Sequence, residues 1–165
     1  MELYLDPRER VSLARDGLAM DFGLAALPWD LADSRLCRIA ALNDLHPGQT
    51  FCCTAAAWVH TGIGYLDQPH VIAAGSRQSK ARVVHRWHVP GSHLYTPAEG
   101  TCTDSLRTLL DLVLSCRAEA DVLTALAYVA RREFSAKEWR DRFVADRRGT
   151  VERYLVVRDL YDDAA

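Results

Sequence analysis

Thiol and imidazole side chains are the groups of this chain with the widest chemical range. Cys52 and Cys53 are adjacent, and they directly precede a predicted helix that ends at His60. A cysteine at a helix N-terminus near a histidine can have a lowered pKa and act as a nucleophile. The spacing offers no third group that would orient the histidine. The pattern favours cysteines that serve as small buried apolar groups, with a thiol-dependent enzyme as the alternative.

Metal and cofactor sites leave recognisable spacings in a sequence. Zinc ligands usually come as two cysteines or two histidines separated by a few residues, and Cys52 and Cys53 have no such gap. His85 and His88 fall on a predicted strand, where alternation directs them to opposite faces. Glycine-rich loops that bind phosphate groups do not occur either. The sequence therefore predicts no metal site and no cofactor.

Basic residues gather in the middle of the chain in a segment that lacks Asp and Glu. The set consists of Arg77, Lys80, Arg82 and Arg86, and Trp87 follows directly. Acid-free basic patches attract phosphate backbones and acidic protein surfaces. We predict that these five residues contact a partner protein or nucleic acid.

Three polar residues interrupt the most apolar predicted helix, residues 104–116. They are Arg107, Thr108 and Asp111. An Arg and an Asp four residues apart are neighbours on a helix surface, and a buried pair of this kind must be mutually satisfied. We expect a structural pair that holds the helix to the sheet. The alternative is that Arg107 reaches an acidic or phosphate group on a partner.

Capping signals and apolar periodicity place these groups on helices around a short β segment. Strands are predicted over residues 69–74 and 82–89, joined by a polar turn as a hairpin, with a further strand over 92–95. The predicted helices cover residues 6–18, 29–45, 54–60, 104–116, 118–132, 135–148 and 150–161. The fold class that follows is α+β, with a small antiparallel sheet and several helices packed on it in a single compact domain.

Length and composition exclude several classes of protein. The chain has 165 residues, of which 49% are hydrophobic, and its formal net charge is -2. This size suits one domain, and this charge argues against a strongly basic nucleic-acid coat protein. The start of the chain does not resemble a signal peptide, and no apolar run approaches the roughly 20 residues of a membrane span. We expect a cytoplasmic protein with reduced thiols and no membrane association.

Short motifs follow one another over about residues 35–148. They are TAAAWVHTG at 54–62, VVHR at 83–86, GTCT at 100–103, LRTLLD at 106–111 and ARREFS at 130–135. Their order and spacing resemble the C-terminal region of AbiEi-type antitoxins, from type IV toxin–antitoxin systems, in their actinobacterial form. The resemblance divides the chain into a short helical N-terminal extension, 1–34, and an AbiEi C-terminal-like α+β domain, 35–165.

The resemblance implies a non-enzymatic antitoxin or regulatory protein of a type IV toxin–antitoxin or phage-defence system. The partner would be a nucleotidyltransferase-like toxin, countered without a stable complex, and the signature positions would be Arg107, Thr108 and Asp111. Residues 1–34 are too few for the full winged helix with which family members bind their promoters. The alternatives are a small nuclease or thiol-dependent enzyme on the same scaffold, and a stand-alone nucleic-acid-binding module.

Overall fold

The computed structural model describes residues 7–21, 26–64, 66–73, 82–116, 118–146 and 150–164. In chain order the first half contains α1 (Pro7–Arg15), β1 (Ala19–Asp21), β2 (Ala26–Pro28), α2 (Trp29–Ala32), α3 (Arg35–Leu45), β3 (Thr50–Phe51), α4 (Cys53–Thr61) and β4 (His70–Ile72). The second half contains β5 (Val83–His85), β6 (Leu94–Tyr95), β7 (Thr101–Thr103), α5 (Ser105–Leu114), α6 (Ala120–Glu133), α7 (Ala136–Ala145) and α8 (Val151–Asp163). The predicted α+β class, with helices packed on a small sheet in one compact domain, is confirmed.

The main sheet has five strands in the order β5-β4-β3-β7-β6. It is mixed rather than purely antiparallel, because β3 pairs with β7, and β4 with β5, in parallel. The predicted hairpin of residues 69–89 is therefore wrong, since a tight turn can join only antiparallel strands. A polar segment between two apolar runs looks the same in sequence whether the two strands pair in an antiparallel or in a parallel arrangement.

The segment before residue 35 contains α1, α2 and, in addition, a two-stranded antiparallel sheet of β1 and β2. Leu27 of β2 is fully buried and belongs to the same core cluster as Ile39 of α3. The single helix predicted over 29–45 is divided between α2 and α3. Ser34 causes the break, because its hydroxyl accepts a hydrogen bond from the backbone N–H of Cys37 and caps α3.

Helix α4 lies at the centre of the fold, and most of its residues are buried. Its run of three alanines lets neighbouring elements approach closely. The helix ends at Gly62, which has a left-handed φ of 73° and donates a hydrogen bond to the carbonyl of Trp58. A Cβ at position 62 would lie 3.0 Å from Nη1 of Arg38, so this glycine also permits a close contact.

Two apolar clusters meet at α4. The first lies between the sheet and α3, and its largest buried side chains include Phe51 and Trp58. The second joins α4 to α5 and α6, with Leu106, Leu109 and Leu126 fully buried. No helix in the described ranges combines the length and the apolar character needed to cross a membrane.

Candidate functional site

The signature residues form a polar connection between β7 and α5, which we call the α5 joint (Thr103, Asp104, Arg107, Thr108, Asp111 and Arg142). Asp104 is the N-cap of α5, and its carboxylate accepts a hydrogen bond from the backbone N–H of Arg107 at 2.7 Å. The Thr108 hydroxyl lies 2.7 Å from the Thr103 hydroxyl and 2.7 Å from the carbonyl oxygen of Asp104. Both threonines are fully buried. These contacts fix the start of the helix to the end of the strand.

Two ion pairs complete the α5 joint. Arg107 Nε lies 2.9 Å from Oδ1 of Asp111, as the spacing predicted, and the carboxylate of Asp111 is fully buried. Asp104 pairs with Arg142 of α7 at 2.6 Å. The Arg107–Asp111 pair lies within one helix, so the contact with the sheet comes from the threonines instead. The pair that reaches another element, Asp104–Arg142, links α5 to α7 and was not predicted.

Glu133, in the ARREFS motif at the end of α6, is also used inside the fold. Its carboxylate accepts hydrogen bonds from Arg35 at 2.8 Å and from the hydroxyl of Ser105 at 2.5 Å. Ser105 is the first residue of α5, so the contacts connect α3, α5 and α6. The motifs at 106–111 and 130–135 thus meet in the structure at the start of α5.

A pocket of about 360 Å³ opens beside the α5 joint. It is lined by Trp87, His88, Pro90, His93, Arg107, Leu110, Arg142, Ala145 and Asp146. Trp87 and Arg107, which the sequence placed in separate sets, are brought together here. Arg107 and Arg142 each pair with a carboxylate. The pKa of His93 is lowered, mainly by burial and then by the charge of the nearby Arg142. The lining therefore offers an indole, imidazoles and fixed guanidinium edges rather than a large excess of positive charge.

The predicted basic set is only partly described. Arg77 and Lys80 lie outside the described residues. Arg86 is exposed just beyond the end of β5, whereas Arg82 is half-buried. The pKa of His46, near the end of α3, is lowered mainly by burial and to a smaller extent by the charge of Arg82. Trp87 packs against the ring of His85 with a centroid distance of 4.3 Å. Arg82 and Trp87, which the sequence placed in one binding set, thus lie beside different residues, His46 and His85 respectively.

The predicted pairing of a thiol with His60 does not occur at Cys52 or Cys53. Both cysteines are fully buried at the start of α4, whereas His60 lies near the end of the same helix. His60 Nε2 donates to the backbone carbonyl of Thr103 at 2.7 Å, and burial lowers the pKa of His60 to about 4. Cys102 has its Sγ 3.9 Å from that nitrogen, but burial raises the pKa of this thiol. His60 is a neutral structural donor to the α5 joint.

A second polar group, which we call the thiol–imidazole cluster, was missed by the sequence reasoning. It consists of Cys53, His70, His85 and Cys116, whose donor atoms all lie within 4.8 Å of one another. These ligands come from α4, β4, β5 and the segment after α5, so no local spacing marks them. The sequence does place a histidine next to a valine in each of β4 and β5. To infer from this that the two histidines meet, one must already know that the strands pair in parallel.

Comparison of the chain with protein-family models, with curated proteins and with solved structures finds no significant match. The resemblance to AbiEi-type antitoxins therefore stays a prediction from the sequence.

Proposed function

We propose that this protein is a non-enzymatic antitoxin or regulatory protein of a type IV toxin–antitoxin or phage-defence system, acting against a nucleotidyltransferase-like toxin. The order of the sequence motifs supports the proposal. The structural observation that carries it is that the charged and hydroxyl groups of the signature helix bond to one another and to the end of β7 inside the fold. Arg107 pairs with Asp111, and Thr108 bonds to the end of β7. These residues maintain a scaffold, which fits a protein that acts by recognition.

The burial of the reactive side chains counts against the thiol-dependent alternative. A catalytic nucleophile and its base must reach the substrate. Cys52 and Cys53 are inaccessible to solvent, and His60 is 4% exposed with its Nε2 bound to a backbone carbonyl. An enzyme built on these groups would need the core to open for every turnover.

The pocket beside the α5 joint is the surface that we propose for partner contact. Trp87 supplies apolar area, and the guanidinium groups of Arg107 and Arg142 are held in place by Asp111 and Asp104. Rigid aromatic and arginine side chains contribute strongly to protein recognition because little conformational entropy is lost on binding. A cytoplasmic location also belongs to this proposal, since none of the five cysteines is disulfide-bonded.

The proposal predicts that a neighbouring gene encodes a nucleotidyltransferase-like toxin, and the test is co-expression with that toxin. We expect the intact chain to restore growth, and persistent growth arrest despite soluble expression would refute the antitoxin role. Ala145→Trp fills the pocket from an exposed position and should abolish protection. Val144→Trp is the matched control, because Val144 is exposed but does not line the pocket. Equal protection by both variants would remove the pocket from the proposal.

A further inference from the structure

We propose that Cys53, His70, His85 and Cys116 bind a zinc ion that ties the sheet to the helical part of the fold. This site is independent of the proposed antitoxin role. Two sulfurs and two imidazole nitrogens are a common donor set of structural zinc sites. Thiolate ligands also argue against Mg²⁺ and Ca²⁺, which take oxygen donors.

Three distances between donor atoms can be compared directly with those of a tetrahedral zinc site. Zinc bonds of about 2.3 Å to sulfur and about 2.0–2.1 Å to nitrogen hold neighbouring donors roughly 3.3–3.8 Å apart. His85 Nε2 lies 3.8 Å from Cys53 Sγ and 3.1 Å from His70 Nδ1. The two sulfurs are 2.9 Å apart, so binding requires them to separate. Cys116 can supply this movement because it is half-exposed and follows the end of α5.

Each ligand is positioned by a different element. His70 pairs with Val83, and Ile72 with His85, so both histidines lie on the same face of the parallel β4–β5 pair. The intervening Val71 and Val84 are buried in the first apolar cluster, on the opposite face. The pairing register therefore brings the imidazoles together.

The backbone of each cysteine is positioned by a helix that borders the site. The backbone N–H of Cys116 donates to the carbonyl of Asp111 at 3.1 Å, which places this thiol at the C-terminal end of α5. Cys53 has a φ of 50°, in the left-handed region that non-glycine residues seldom adopt. Such a conformation persists only where the surrounding structure enforces it. Here the chain passes directly from β3 into α4.

Charge and surroundings also fit a structural ion. Two thiolates balance the charge of Zn²⁺, so the occupied site is neutral, which suits a partly buried location. The ring of His85 packs against Trp87, and Cys53 lies in the second apolar cluster. Four protein donors complete a tetrahedral shell and leave no position for a substrate, which is the arrangement of a structural rather than a catalytic zinc.

The experiment uses the full chain, reduced and freed of metal with a chelator. After addition of Zn²⁺ and desalting, elemental analysis should find one zinc per chain. Co²⁺ in place of Zn²⁺ should give the visible bands of tetrahedral cobalt and a thiolate-to-cobalt charge-transfer band in the near ultraviolet. The melting temperature should rise with either metal. Folded, reduced chain that takes up no stoichiometric metal would overturn the proposal.

Variants separate this site from adventitious binding. Cys116→Ser and His70→Asn should each weaken zinc binding by more than about 100-fold, since even a residue that only supports a ligand contributes about 10–100-fold. Both positions are half-buried, and circular dichroism checks that each variant folds. Cys37→Ser and His88→Asn alter a thiol and an imidazole outside the cluster and should bind zinc like the unaltered chain. Equal losses in the controls would contradict the assignment.

A disulfide between Cys53 and Cys116 is the competing use of the two thiols. It would require the sulfurs to approach to about 2.05 Å and would consume both as ligands. Mass spectrometry under non-reducing conditions distinguishes the two states. We expect zinc to slow air oxidation of the pair and to protect Cys116, the accessible thiol of the two, from alkylation. Oxidation at the same rate with and without zinc would refute the metal site.

Discussion

The α5 joint and the thiol–imidazole cluster are two polar groups within one fold, and they are satisfied in different ways. At the α5 joint, two arginines face two carboxylates, so every charge has a partner supplied by the chain. In the cluster, four metal-binding side chains converge without an acid or a base of fixed charge among them. In the first arrangement the chain supplies the opposite charges itself, whereas the second gains most from an added cation. Paired opposite charges therefore indicate a structural role, and convergent donors indicate a ligand.

The largest expected effect comes from opening the α5 joint. Asp111→Ala leaves the guanidinium of Arg107 buried without its acceptor, and we expect a loss of about 3–5 kcal/mol in the free energy of unfolding. Urea denaturation measures this loss. The double variant Arg107→Met with Asp111→Leu removes both charges and should recover much of it. A loss below about 1 kcal/mol in the single variant would mean that the pair is not effectively buried.

Acid should weaken the same region through His60. Its pKa is about 4 in the folded protein, below the ordinary value of 6.5, because burial disfavours the charged ring. The unfolded chain therefore takes up the proton first, so stability is full above pH 6.5 and falls as the pH decreases toward 4. This group accounts for roughly 3 kcal/mol across that window.

The measurement compares unfolding of the unaltered chain and His60→Gln in metal-free buffer, from pH 7.5 to 4. Gln can still donate to the carbonyl of Thr103 but does not titrate. The His60 ring lies near Arg35, Glu133 and Asp104, whose charges are present in both proteins. The variant should show the flatter pH profile. Parallel profiles would show that His60 is not the group that senses pH at the α5 joint.

Removal of zinc should produce a smaller effect, confined to the cluster. At a free zinc concentration of one hundred times the dissociation constant, binding stabilises the fold by about 2.7 kcal/mol. A chelator should therefore lower the melting temperature of the unaltered chain but leave the melting temperature of the Cys116→Ser variant unchanged. A chelator effect of the same size in Cys116→Ser would place the metal elsewhere.

The smallest expected effect concerns the basic residues, which belong to neither region. Charge reversal at Arg82 and Arg86 tests the nucleic-acid-binding alternative without altering the α5 joint. If this surface binds nucleic acid, the double variant should bind more weakly and show a reduced salt slope, by about 1 for each phosphate that is no longer neutralised. Reversal of Lys137, an exposed residue of α7, is the control. An unchanged salt slope would mean that Arg82 and Arg86 do not contact nucleic acid, and the pocket would be the remaining candidate surface for recognition.

Local signals in the sequence identified most of the helices and the Arg107–Asp111 pair of the α5 joint. The capping box of Ser135 and Glu138 is present at the start of α7, and Arg107 pairs with Asp111 four residues away. These features depend on neighbours along the chain, so their spacing is enough to predict them. The Asp104–Arg142 pair was missed because it depends on how α7 packs.

The sheet and the cluster depend on pairings between distant segments. Strands β3 and β7 have two and three residues, too few to show an alternating pattern, and neither is among the strands predicted from the sequence. The parallel register of β4 and β5 brings His70 and His85 together. The predicted hairpin gave no reason to expect these two side chains to be neighbours. A zinc site built across such a sheet leaves no spacing in the sequence to detect.

The position of β3 has a consequence for the order of events during synthesis. This strand lies between β4 and β7, and Phe51 is buried opposite Val71 on one side and Cys102 on the other. While the chain emerges from the ribosome, β3 has an open edge until residues 101–103 become available. The first half therefore cannot complete its sheet alone, and one edge of β3 stays unpaired until the second half has been synthesised.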